Sequence, residues 1–228
     1  MKTRSKRYVE NKKMVDQTKI YTISEACALA AKTSNTKFKS SIDLVIKLNL
    51  DTTKAEQQLR GNIALPHYFG KAKKVLVLDD TLTAAAAKAA NVDYFGGMEQ
   101  ITKIKEGWLD YDVIVATPKF MPELSKLGKI LGPKGLMPNP KLGTVTPTPL
   151  NTVKEIKAGK YDYRTDTYGN IHMAIAKSND PVDKIAENIK FFLDFIKSKR
   201  PSTVKGDYFQ KIYLHSSMGP CIKIQIPN

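Results

Sequence analysis

Lys74-Val75-Leu76-Val77-Leu78, Asp93-Tyr94-Phe95 closed by Gly96-Gly97, and Tyr111-Asp112-Val113-Ile114-Val115-Ala116 stopped by Thr117-Pro118 decide the fold. Each is a short apolar run bounded by polar or turn residues. The first and last hold four apolar residues in succession, the mark of a strand buried on both faces. Between and after them the spacing predicts helices over 83–90 (alanine-rich), 99–106 (where Ile101 and Ile104 share a face), 122–131 and 150–157. Strands alternating with helices imply crossover units and a parallel sheet covered on both sides.

The flanks follow another rhythm. Ile42, Leu44, Ile46, Leu48 and Leu50 alternate with Asp43, Val45, Lys47 and Asn49, a period of two that predicts a half-buried strand. A helix capped by Thr22 or Ser24 runs to about residue 31, and 60–66 reads as extended. Residues 161–164 and 171–175 flank Asp166-Thr167-Tyr168-Gly169-Asn170, which predicts a hairpin. Pro181 opens a long helix whose Val182, Ile185, Ile189, Phe192 and Ile196 form one stripe, and Pro201 ends it. Strands over 209–214 and 221–226 close the chain. Neither end has enough elements for a core of its own. The economical solution is an α/β protein: a split α+β domain formed by both termini, residues 1–67 plus 160–228, with a doubly wound parallel-sheet (Rossmann-like) domain, 68–159, inserted. Two chain crossings, near Pro66-His67 and Gly159-Lys160, would permit hinge motion.

Composition bounds the partners. Of 228 residues, 37 are Lys or Arg and 22 Asp or Glu, a formal charge of +15; 42% are hydrophobic, so the chain is neither disordered nor fibrous. No run of about 18 apolar residues occurs, so no membrane is expected as a partner. Cys27 and Cys221 form no CxxC pair, which argues against zinc and fits a reducing cytoplasm. Residues 1–67 carry +7, 68–159 carry +4 and 160–228 carry +4. The surplus thus concentrates in the termini, and a polyanion-binding face built from both is expected.

Catalytic chemistry is hard to find. His67, His172 and His215 stand apart in sequence, and Asp79-Asp80 at a strand end are as well suited to helix capping as to catalysis. The loop Gly132-Pro133-Lys134-Gly135-Leu136-Met137-Pro138-Asn139-Pro140-Lys141-Leu142-Gly143 offers Lys134 and Lys141 to phosphate, but follows a helix and matches neither GxxxxGK[ST] nor GxGxxG. No enzyme activity, metal or cofactor is expected; the alternative is a nucleotide-using enzyme on the inserted domain. Two segments suit RNA better. Lys37-Phe38-Lys39-Ser40-Ser41 sets an aromatic between lysines, to stack or equally to enter the core. Ser216-Ser217-Met218-Gly219-Pro220 puts hydroxyls and a glycine at a tight turn, where an RNA backbone could approach.

At these residues the chain resembles the L-one family of bacterial large-subunit ribosomal proteins. The shared stretches include Lys6-Arg7-Tyr8, Tyr21-Thr22-Ile23, Arg60-Gly61, Leu65-Pro66-His67, Gly70-Lys71, Val115-Ala116-Thr117-Pro118, Glu155-Ile156-Lys157-Ala158-Gly159, Ile171-His172 and Met218-Gly219-Pro220. The longest runs from Leu131 through Lys141. The resemblance implies a protein of the large ribosomal subunit in the cytoplasm. It would bind large-subunit rRNA at the mobile stalk, assist exit of deacylated tRNA and repress its own mRNA. Lys37, Phe38 and Ser41 would form one lip of the rRNA site, Ser217, Met218 and Gly219 the other, with His172 and Lys177 nearby. The chain departs from the family pattern at Tyr68 and Ala176, where glycine is usual, at Ser217 for threonine, and at Cys221 for glycine. A glycine at 68 with positive φ would leave Tyr68 strained.

Overall fold

The computed structural model describes residues 4–80, 82 and 84–226; Thr83, the expected first residue of the alanine-rich helix, lies outside them. In chain order the elements are α1 (Lys6–Lys13), α2 (Ile23–Lys32), β1 (Ser41–Leu48), β2 (Arg60–Ala64), β3 (Val75–Leu78), α3 (Ala84–Ala89), β4 (Tyr94–Gly96), α4 (Met98–Lys105) and β5 (Val113–Ala116). Then follow α5 (Met121–Lys126), α6 (Gly128–Leu131), α7 (Pro149–Lys157), β6 (Lys160–Arg164), β7 (Asn170–Lys177), α8 (Val182–Ser198), β8 (Phe209–Ser216) and β9 (Ile222–Ile224).

The chain divides into two compact units. One gathers the chain up to Arg60, Leu65–Phe69 and everything from Tyr163; the other holds Gly61–Ala64 and Gly70–Asp162. In the first, four strands in the order β7-β1-β8-β9 make one antiparallel sheet, so strands from both ends of the chain complete each other. Alternation along β1 buries Ile42, Leu44, Ile46 and Leu48 on one face, and α2 and α8 pack there. The stripe of α8 is buried as its spacing predicts, with Ile185, Ile189, Phe192 and Ile196 sealed from solvent. Thr22 caps α2 in a capping box: the Glu25 amide donates to the Thr22 hydroxyl at 3.4 Å and the Thr22 amide to the Glu25 carboxylate at 3.1 Å.

The second unit is built on the parallel sheet β4-β3-β5. All four residues of β3 are buried. Leu76 and Leu78 join Ile101, Ile104, Leu124 and Leu131 on one side, and Val75 and Val77 join Val153 and Ile156 on the other. This two-sided burial explains why the strand shows no alternation.

Two local expectations are corrected, and one helix forms that the sequence reading did not include. The turn at 166–170 forms, with Asp166 accepting from the Tyr168 amide at 2.9 Å and the Asn170 amide at 2.7 Å, but its flanking strands do not make a hairpin. β6 pairs with β2 and β7 with β1, leaving one isolated bridge, Thr165 to Ile171. The apolar side of β7, Ile171, Met173 and Ile175, is buried in the sheet core, a long-range demand that overrides the local one. The helix expected over 122–131 is two helices, broken at Leu127 (φ −92°, ψ 7°) before Gly128. Finally, α1 forms where no helix is read from the sequence. Its one buried residue is Asn11, whose amide donates to the Thr33 carbonyl at 2.8 Å and the Asn35 side chain at 2.9 Å.

The two thiols differ sharply. Cys27 lies sealed in α2, and burial pushes its thiol up to about 12, whereas Cys221 is exposed. A thiolate is the reacting form. A thiol-reactive chromogen at mild alkaline pH should therefore titrate one fast group in the native chain, and the second only in denaturant. Two fast groups would mean that α2 opens readily from the sheet.

Candidate nucleic-acid interface

The loop before β1 is closed on itself. The Ser34 and Ser40 hydroxyls hydrogen-bond each other across its neck, and the Thr36 hydroxyl donates to the Phe38 carbonyl at 2.7 Å. Lys37, Phe38 and Lys39 therefore stand out on a pinned loop, all exposed. Phe38 is 55% exposed, which removes the core reading of this aromatic.

Ser41, first residue of β1, sits between the ends of two other strands. Its amide donates to the Ser217 hydroxyl at 3.2 Å, and its carbonyl accepts from the Ser217 amide at 3.0 Å. On the other side the Lys177 ammonium donates to the Ser41 hydroxyl at 2.8 Å. A bulge aims that lysine. The register of β7 on β1 shifts between Ile42 and Asp43, so Ile42 faces Ala176 while Asp43 faces Ala174. The extra residue puts Ile175 and Ala176 in succession into the core and turns Lys177 to the solvent face. Sequence reading missed Asp180, whose carboxylate accepts from the Lys177 amide at 2.7 Å and fixes the strand end.

The β8–β9 turn supplies the third component. The Gly219 amide donates to the Ser216 carbonyl at 2.8 Å, and Met218 takes φ 64°. A turn with positive φ at its third residue favours Gly or Asn; a methionine there is held in the left-handed region at a cost of roughly 1–2 kcal/mol. The residue is 69% exposed. Beneath it Ser216 is fully buried, and its hydroxyl finds no partner. A Cβ added to Gly219 would overlap that hydroxyl and lie 3.2 Å from the Ser216 carbonyl oxygen.

Ser41, Lys177 and Ser217 are thus in direct contact, with Lys37 and Phe38 on the loop leading into this cluster and Met218 and Gly219 on the turn leading out. His172 is apart from them, opposite Val45 in the middle of β7, exposed, with Nε2 3.4 Å from Asp166. Burial works to raise the Asp166 carboxyl, but hydrogen bonds from Asn170 and Tyr168 outweigh it and hold it below the ordinary range, so His172 faces a carboxylate. Of the departures noted above, Ala176 is buried at the bulge and Cys221 follows the turn, exposed. Tyr68 is unstrained: the non-glycine residues with positive φ among those described are Asn91 and Met218.

Among the described residues, the parallel unit gathers no comparable cluster. Its Gly/Pro loop spends backbone amides on itself, from Leu136 to the Leu131 carbonyl at 3.1 Å and from Gly143 to that of Pro140 at 3.0 Å. Lys134 is exposed on it, and the Lys141 side chain lies outside those described. Where β3 ends, a Cβ on Gly97, the N-cap of α4, would overlap the Asp80 carboxylate, which also pairs with Lys119 at 2.6 Å. This carboxylate stands at the N-terminus of α4 and disfavours a phosphate at that helix end. Among the described residues no group of three His, Cys, Asp or Glu side chains could hold a metal, and no helix is long and apolar enough to cross a membrane.

Fold and site together define a split α/β protein with an inserted parallel-sheet unit, whose gathered polar residues lie on the part built from the termini. Residues 30–220 match the model of the Ribosomal protein L1p/L10e family. The chain is 56% identical over 211 residues to the large ribosomal subunit protein uL1 of Malacoplasma penetrans (strain HF-2), covering 92% of this chain but 63% of that protein. It is 54% identical over 211 residues to that of Mycoplasmoides gallisepticum, covering 92% of each, and 49% identical over 228 residues to that of Mycoplasma genitalium, covering all of both. The chain belongs to the ribosomal protein L1p/L10e family, and it is a structural protein, not an enzyme.

Proposed function

We propose that this chain is a cytoplasmic large-subunit ribosomal protein that binds folded rRNA through the unit made from its two ends (1–67 plus 160–228 in the sequence reading). Lys37, Phe38, Ser41, Lys177, Ser217, Met218 and Gly219 form the contact and His172 extends it. The observation that carries the reading is the meeting of Ser41, Lys177 and Ser217, far apart in sequence, at 2.8–3.2 Å beside the exposed Phe38 and Met218. Hydroxyls, an ammonium group, an aromatic face and a half-buried glycine at a turn are suited to recognition of RNA shape, 2′-hydroxyls and phosphates. We further propose two finer roles, which the resemblance described above implies: assisting deacylated tRNA to leave the exit site, and repressing translation of the chain's own mRNA by the same surface.

The test is a series of Kd values against salt for a hairpin fragment of large-subunit rRNA. Lys37→Ala and Lys39→Ala should each lower the salt slope by about one unit. Met218→Gly relieves the backbone strain, so stability should hold or rise while affinity falls about ten-fold, the effect of one lost apolar contact of roughly 1.4 kcal/mol. Wild-type affinity and an unchanged slope in all three variants would remove these residues from the site. Cosedimentation of the chain with large subunits, and a reporter carrying its own leader, address assembly and repression.

A further inference from the structure

The solvent face of the four-stranded sheet is a broader surface than the strand-end cluster. With α2 and α8 on the face where Ile42, Leu44 and Ile46 are buried, alternation turns Asp43, Val45 and Lys47 the other way. Register then fixes their neighbours. Val45 stands between His172 of β7 and Tyr213 of β8, and Tyr213 faces Lys223 of β9. Lys47 stands between Asn170 and Lys211, and Asp43 between Ala174 and His215. Three lysines and two histidines thus oppose one carboxylate on these paired positions, with a tyrosine in their midst on an inner strand. Among the described residues the Tyr213 ring makes no ring–ring or cation–ring contact, and Tyr213 and Lys223 are each only partly buried.

We propose that this face binds an unpaired stretch of RNA, one base stacked on Tyr213 and the adjoining phosphates on Lys211 and Lys223. An open antiparallel sheet with an aromatic ring on an inner strand gives splayed bases a flat apolar platform, and every base has a face to offer it. A duplex keeps its bases stacked on one another, so it would meet the lysines and be indifferent to the ring. Ser41 and Lys177 open the same face, so RNA held at the strand ends leads onto it. The inference rests on the RNA-binding reading above.

Fluorescence anisotropy of a labelled oligouridine of about ten nucleotides, run beside the rRNA hairpin on the full chain, tests it. Tyr213→Ala should weaken oligouridine binding about ten-fold, and Tyr213→Phe should retain it. Lys211→Glu with Lys223→Glu should weaken it and flatten its salt dependence. Met218→Gly should weaken the hairpin but not the oligouridine. A wild-type chain that ignores oligouridine, or a Tyr213→Ala chain that binds it as wild type does, overturns the inference. Hairpin affinity reports separately on the strand-end site. Because the ring lies on the solvent face, a thermal melt matching wild type is expected for Tyr213→Ala.

Discussion

Gly219→Ala is expected to cost about 2 kcal/mol of stability, and Ser216→Ala, added to it, to return most of that loss. The cause is local. A Cβ at position 219 would overlap the Ser216 hydroxyl, and that hydroxyl is walled in: Ser216 is fully buried at the end of β8. Backbone strain is not the reason, since Gly219 is outside the residues with positive φ. Ser216→Ala by itself should raise stability by about 1 kcal/mol, because the hydroxyl it removes is buried without a hydrogen-bond partner. The two substitutions therefore couple, with an interaction of order 1–2 kcal/mol measurable from urea midpoints in a double-mutant cycle. Additive changes would show that the turn relaxes around the new methyl group.

The same four proteins separate folding from recognition. If Gly219 serves RNA by letting a backbone approach, the double variant regains stability but keeps the weakened hairpin affinity of Gly219→Ala. If glycine is required only to clear Ser216, the double variant regains both. Gly219 would then be a structural residue, and the contact would rest on Met218, Ser217 and Lys177. Gly219→Val, a natural first choice from sequence, confounds the two effects, because its side chain meets Ser216 before any RNA does.

What the sequence made legible follows the physics that wrote it. The parallel unit was readable because unbroken apolar strands such as Val75–Leu78 admit one environment, buried on both faces. β1 was readable because period-two alternation over eight residues fixes a half-buried strand. The joining of both termini followed from counting unpartnered elements. Partner choice for β6 was not readable: a good Asx turn at Asp166 suggested a local hairpin, while the strand that claims β6 lies about a hundred residues upstream. α1 was hidden for a related reason, since a polar helix docked by one buried amide, Asn11, leaves no periodic signal. At the candidate site, the sequence showed the residue types and the two segments that carry them, but not the contact between Lys177 and Ser41. It depends on a bulge between Ile42 and Asp43, and a one-residue slip reverses every side chain beyond it. The orphaned hydroxyl of Ser216 likewise exists only in three dimensions.

Asn188→Ala should be the most damaging single polar truncation in the terminal unit, at about 3 kcal/mol. Asn188 lies on α8 and is 1% exposed. Its carbonyl oxygen accepts from the His67 amide at 3.0 Å, and its amide donates at 3.0 Å to the carbonyls of His67 and Ile175. One side chain thus satisfies both backbone groups of His67 and ties that segment to α8 and β7. Removing it deletes three hydrogen bonds of roughly 1 kcal/mol each and leaves backbone groups without partners away from water. Asn188→Asp keeps the acceptor for the His67 amide but aims carboxylate oxygens at two carbonyls. That environment disfavours the charged form, so the new carboxyl should titrate above its unfolded value. Its ionisation then costs stability as pH rises through that raised value, and Asn188→Asp should be more stable near pH 5 than near pH 7, while Asn188→Ala shows no such difference beyond wild type. The readout can be assigned to a unit. Trp108 is the one tryptophan, and it packs against Tyr94 at 4.9 Å and Tyr111 at 5.3 Å within the parallel-sheet unit. Loss of far-ultraviolet dichroism on heating should move to lower temperature in Asn188→Ala while the tryptophan transition stays in place. Coincident shifts in both signals would show that the units unfold as one, and an unshifted dichroism curve would show that water replaces the amide at no cost.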